Sequence, residues 1–84
     1  MPYKVVRLIE HDQVVILRIS GHIQEEHISM IEDLIAKETD PLVFDLQEVT
    51  LVGLEVVRFL AACDVRGIEL RNCPGFIREW LSKV

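Results

Sequence analysis

The sequence predicts an α/β fold: a small mixed four-stranded β-sheet with three or more helices, in the order β-β-α-β-α-β-α. Three observations predict it. Two β-branched runs stand side by side near the start, separated only by a short polar break. Three later segments carry apolar residues at helical spacing. Between those segments lie apolar runs of strand length, too short for buried helices.

Tyr3 to Ile9 (YKVVRLI) and Gln13 to Ile19 (QVVILRI) read as a hairpin turning at Glu10-His11-Asp12. The second run is almost wholly apolar through Val14, Val15, Ile16, Leu17 and Ile19, which places it inside the sheet and the first run at an antiparallel edge. Ser20-Gly21-His22 ends it, the glycine marking a tight bend. From Ile23 to Lys37 the period becomes helical, with Ile28, Ile31, Leu34 and Ile35 on one side and acidic residues in the first turn. Pro41 stops that helix, since proline cannot continue the hydrogen-bond ladder.

Leu42 to Leu46 is the third strand, bounded by a polar turn from Asp45 to Glu48 and a loop through Gly53. Leu54 to Val65 is the next helix, carrying Leu54, Val57, Leu60, Ala61 and Val65, with Gly67 as its C-terminal cap. Ile68 to Leu70 is a short last strand. Asn72 caps a final helix with Pro74 in its first turn, and Phe76, Ile77, Trp80, Leu81 and Val84 form its apolar side. Phe76 and Trp80 are assigned to the core. Strand-helix-strand crossovers should lay the later strands parallel.

Eighty-four residues, half of them hydrophobic, are expected to form one domain that buries roughly 60–65% of its unfolded surface. A net charge of −5 argues against a nucleic-acid binder, which needs a concentrated basic surface. Arg58, Arg66, Arg71 and Arg78 form either a local basic patch or ordinary solvated helix faces. No apolar run approaches the ~20 residues of a membrane span, and Lys4 and Arg7 lie in a strand pattern rather than a signal-peptide start. The expectation is a cytoplasmic protein without membrane insertion.

Cys63 and Cys73 form no CxxC or four-ligand pattern and read as reduced, largely buried thiols. His22 and His27 flank Glu25 and Glu26, but five helical positions separate two rings by about 140°, so no metal site is assigned. His22 and Glu26 are better spaced, yet two ligands make no site. Phosphate-cradling glycine loops and activated nucleophiles are also missing, so neither a cofactor nor an enzymatic activity is expected.

Taken together, the two strands with Gly21, the helix, and the run LVFDLQEVTLVGLEVVRFL resemble the STAS domain, the family of anti-sigma factor antagonists and sulphate-transporter cytoplasmic domains. Asp45-Leu46 and Val49-Thr50 match its strand end, and IELRNCPGFIREWL is similar to its last strand, turn and helix through Leu70, Asn72, Pro74 and Leu81. The resemblance implies a regulatory protein-binding module, active in partner switching with a kinase-like anti-sigma factor or sensor kinase. An accessory STAS subunit of a transport complex is the alternative. The implied contact is the switch loop and helix start: Thr50, Gly53, Leu54, Glu55 and Arg58.

One departure is specific. The family's Asp-Ser-Ser-Gly falls on Gly53, Leu54, Glu55 and Val56, so Glu55 stands at the phosphorylation-equivalent position. Either Glu55 imitates the phosphorylated serine with a permanent charge, or it simply suits a first helical turn. Thr50, the only hydroxyl of the loop, is read as structural rather than as a phosphate acceptor. Leu54, in a serine's place, favours an apolar contact with a partner or with a second copy.

Overall fold

The computed structural model describes residues 3–10 and 12–84. It is an α/β structure with one four-stranded mixed sheet and three α-helices. The strands are β1 (Tyr3–Ile9), β2 (Val15–Ile23), β3 (Leu42–Val52) and β4 (Glu69–Arg71), side by side in that order. The helices are α1 (Ile28–Ala36), α2 (Leu54–Val65) and α3 (Gly75–Leu81). The order departs from the expected one where a 3-10 turn, Glu25–His27, intervenes between β2 and α1.

β1 runs antiparallel to β2 at the sheet edge, with Val5 opposite Ile19 and Leu8 opposite Ile16. The expected turn includes His11, which lies outside the described residues. On its far side Gln13 takes a left-handed φ of 67° and donates its N–H to the Glu10 carbonyl. A bidentate pair from Arg7 to Glu38, at 2.6 and 3.1 Å, ties β1 to the connection after α1. β2, β3 and β4 are parallel, as strands joined through helices must be when each chain segment returns to start at the same end.

One sheet face holds the core. Leu17, Ile19, Phe44 and Leu46 pack there against Ile31 and Ile35 of α1, Val57, Leu60 and Cys63 of α2, and Ile77 of α3. Ile16 and Val43 pair across the parallel ladder and, by strand alternation, point to the opposite face. They are buried there too, but Arg18, two residues after Ile16 on that face, is exposed, so the expected burial of β2 on both faces holds only at Ile16.

Three boundaries differ from the expected ones. β2 continues through Gly21 to Ile23, because Gly21 adopts φ 89° inside the strand and no bend follows. The residues before Ile28 therefore belong to strand and 3-10 turn rather than to the helix. β3 runs eleven residues instead of five, so the turn and loop expected from Asp45 to Gly53 shrink to Gly53 itself.

The extra length has a definite cause. Arg18 pairs with Asp45 but Ser20 pairs with Glu48, and Gly21 pairs with Val49 but His22 with Leu51. At each step β3 spends one residue more than β2, which is a β-bulge. Two bulges change the inward period from two to three, so Leu46, Val49 and Val52 all reach the core. The pairs Gln47-Glu48 and Thr50-Leu51 between them face solvent.

Candidate functional site

The candidate site lies where β3 hands over to α2. Gly53 is the N-cap residue, extended at φ −90°, and Val57 donates its N–H to the Gly53 carbonyl to open the helix. No side chain caps that end. A Cβ at Gly53 would meet nothing within 4 Å, and the backbone there demands no glycine. Gly53→Ser is accordingly expected to stabilise the protein by a few tenths of a kcal/mol, because its hydroxyl can satisfy a free N–H of the first turn. A small rise in urea midpoint checks this.

The structure gathers the sequence-predicted residues only in part. Gly53, Leu54, Glu55 and Arg58 are all exposed, and Leu54 and Arg58 share one helix face at a spacing of four. Thr50 is not in a loop. It sits on β3 beside the second bulge, exposed, four residues before Leu54. Glu55 does not stand alone either, since its carboxylate accepts a hydrogen bond from Arg58 Nη1 at 3.1 Å. The α2 start thus presents a charge pair beside an apolar residue, rather than an isolated anion.

Leu54 forms one wall of an open groove of about 690 Å³ between α2 and α3, together with Arg58, Ala61, Trp80, Lys83 and Val84. Leu54 is 45% exposed, Trp80 43% and Val84 54%. The assignment of Phe76 and Trp80 to the core is corrected here: both are exposed, and only Ile77 of α3 is fully buried. The signal was available in the spacing. Phe76, Trp80 and Val84 form a row of every fourth residue, displaced by about 100° from the row of Ile77 and Leu81, and a short helix lying on a core buries only one.

Asp45 is the structure's buried carboxylate, 5% exposed among the described residues. Oδ1 accepts from the Gln47 backbone N–H at 3.1 Å and from Asn72 Nδ2 at 3.3 Å; Oδ2 accepts from Arg18 Nε at 3.3 Å. Burial pushes its pKa up, but these hydrogen bonds and the Arg18 charge prevail and hold it below the usual carboxylate range. Asn72 serves this carboxylate with its backbone left-handed at φ 56°, so it does not cap the last helix. The helix instead starts at Gly75 with Pro74 as the flanking residue. Asp45 therefore ties the β4–α3 turn to β3, while the fully buried Ile77 seats α3 on the core.

The remaining chemistry is dispersed. His27 stacks on Tyr3 with ring centroids 3.7 Å apart, and its Nδ1 accepts the Gln24 N–H at 3.0 Å. Among the described residues no three His, Cys, Asp or Glu side chains gather to hold a metal ion. Cys63 is buried, and burial pushes its thiol up to about 11, so it is no nucleophile at neutral pH. Cys73 is half-buried, with its pKa raised for the same reason. Of the four arginines considered for a basic patch, Arg58, Arg66 and Arg71 are each paired with carboxylates, Glu55, Glu32 and both Glu10 and Glu69, while Arg78 of α3 is exposed. No described helix is long and apolar enough to cross a membrane. No protein-family model matches the chain, and no curated protein matches it.

Proposed function

We propose that this chain is a non-enzymatic protein-docking module of the anti-sigma factor antagonist type, whose contact surface is the start of α2. The observation that carries the reading is Leu54, exposed at the first helical position and opening onto the apolar groove beside Trp80. An isolated exposed leucine means little, but one that continues into a concave apolar surface is what a partner side chain needs. Arg58 and Glu55 supply a polar rim at the same helix end.

Docking is constitutive in this reading. Glu55 occupies the position where the resembled family takes phosphate, and its charge is shared with Arg58. Contact then depends on Leu54 rather than on a phosphate that comes and goes.

Immobilised wild-type chain and its Leu54→Glu and Glu55→Ser variants, exposed to lysate of the native cell, test the reading. A partner of the wild type should be lost with Leu54→Glu, which places a carboxylate in the apolar contact. It should be retained, within about threefold in affinity, by Glu55→Ser, since an exposed ion pair contributes only about 0–1 kcal/mol. Equal capture by wild type and Leu54→Glu would remove α2 as the contact. A large loss with Glu55→Ser would restore the phosphate-mimic reading of that glutamate.

A further inference from the structure

We propose that the α2–α3 groove is a self-association surface, on which a second copy of this chain packs its own α2–α3 face about a two-fold axis. The proposal uses the same groove and the same Leu54 as the docking reading, but its test weighs the pure chain alone.

Shape is the first argument. The groove is bounded on one side by Leu54, Arg58 and Ala61, spaced four and three residues apart along α2. On the other side stand Trp80 and Val84, four residues apart, and Lys83. Two such rows frame a furrow that accepts a helix of another molecule, and Ala61 at the α2 row lets a backbone come close. Trp80, the largest of these side chains, is half exposed although it has no polar task within the chain, as expected of an interface anchor.

Charge selects the occupant. The rim carries Glu55 with Arg58 at 3.1 Å and Glu79 with Lys83 at 3.6 Å. Two acids and two bases sum to zero, so the rest of the chain holds the entire net charge of −5. An anionic ligand or acidic peptide would find both groove cations already answered by carboxylates. A basic partner would be drawn to the acidic remainder instead of to this patch. For a second copy, this balanced patch brings no net like charge against itself, whereas the remainder of the chain, which carries −5 in total, on average does. An isologous contact also lets each Arg58 or Lys83 reach an acid of the other copy, because the same patch carries both signs.

The apolar area is modest, so the dimer should be reversible, with a dissociation constant in the micromolar range. Because Leu54 is shared, dimerisation and docking of another protein exclude each other.

Sedimentation equilibrium of the purified chain from about 1 μM to about 1 mM tests the proposal. The apparent mass should rise from 9.7 kDa toward twice that value, with Trp80 fluorescence shifting to the blue as the indole leaves water. Ala61→Arg should remain at the monomer mass throughout while its circular dichroism and urea midpoint stay those of the wild type. Trp80→Ser, which changes no charge, should weaken association at least tenfold. Lys4→Glu, far from the groove on β1, should leave the dimer intact. A wild type that stays monomeric at the highest concentration overturns the proposal. So does a dimer that forms equally well with folded Ala61→Arg and Trp80→Ser. Since only the pure chain is weighed, this outcome does not depend on whether a docking partner is found.

Discussion

Val49→Asp is expected to remove a large share of the protein's stability. Val49 is 5% exposed, and it reaches the core only because the two bulges of β3 turn every third residue inward. A carboxylate there has no cation or donor to meet it, and the penalty is about 3–5 kcal/mol. The stability of an 84-residue chain is roughly 4–13 kcal/mol in total. Urea titration followed by circular dichroism measures the loss. Gln47→Glu, on an exposed neighbour in the same strand, should change stability by no more than about 0.5 kcal/mol. If the stretch were a solvated loop, the two substitutions would behave alike, and that result would sink the bulged-strand account.

Asp45→Ala is the second large effect, at about 2–3 kcal/mol. It removes the acceptor of the Gln47 N–H and frees Asn72 and Arg18, whose exposed side chains can turn to water and so add little. The loss depends on pH in a defined direction. The folded-state pKa of Asp45 is depressed, so the unfolded chain takes up a proton first as pH falls. The contribution is complete above the unfolded carboxylate value, about 3.9, and disappears as pH falls through the folded value. The gap in urea midpoint between wild type and Asp45→Asn should therefore be widest at neutral pH and narrow below about pH 4. A gap that widened on acidification would show that Asp45 is not held as the anion.

The same carboxylate also touches the turn that leads into one wall of the groove. Asn72 hydrogen-bonds Asp45 from the β4–α3 turn, while Trp80 of α3 and Lys83 and Val84 just beyond it line the groove. Ile77, fully buried, keeps α3 on the core, so a folded Asn72→Ala chain should lose some stability while the concave surface persists.

Much of the candidate surface was readable from residue order. Gly53, Leu54, Glu55 and Arg58 follow an apolar strand and open a helix, and that junction is local. The opposite wall was not readable. Trp80 and Val84 look like core residues because their spacing is helical and apolar, and periodicity does not say which of two adjacent rows a neighbour will cover. Thr50 was misplaced for a related reason: in LQEVTLV the apolar residues recur every third position, which fits neither a regular strand nor a helix.

By itself, then, the sequence determined the hairpin partners and the apolar face of α1, whereas the face expected for α2 is corrected: Val57 and Leu60 are buried with Val56 and Cys63, while Leu54 and Val65 stand exposed. These follow from periods of two and 3.6, and from glycine and proline acting within a few residues of themselves. Only the tertiary structure decided that β3 continues to Val52, that Asn72 turns to Asp45, and that half of the apolar side of α3 stays in water. Each depends on a partner distant in the chain. A bulge is a mismatch between two strands, a buried carboxylate needs donors from three segments, and a helix buries only the row that the sheet beneath it can reach.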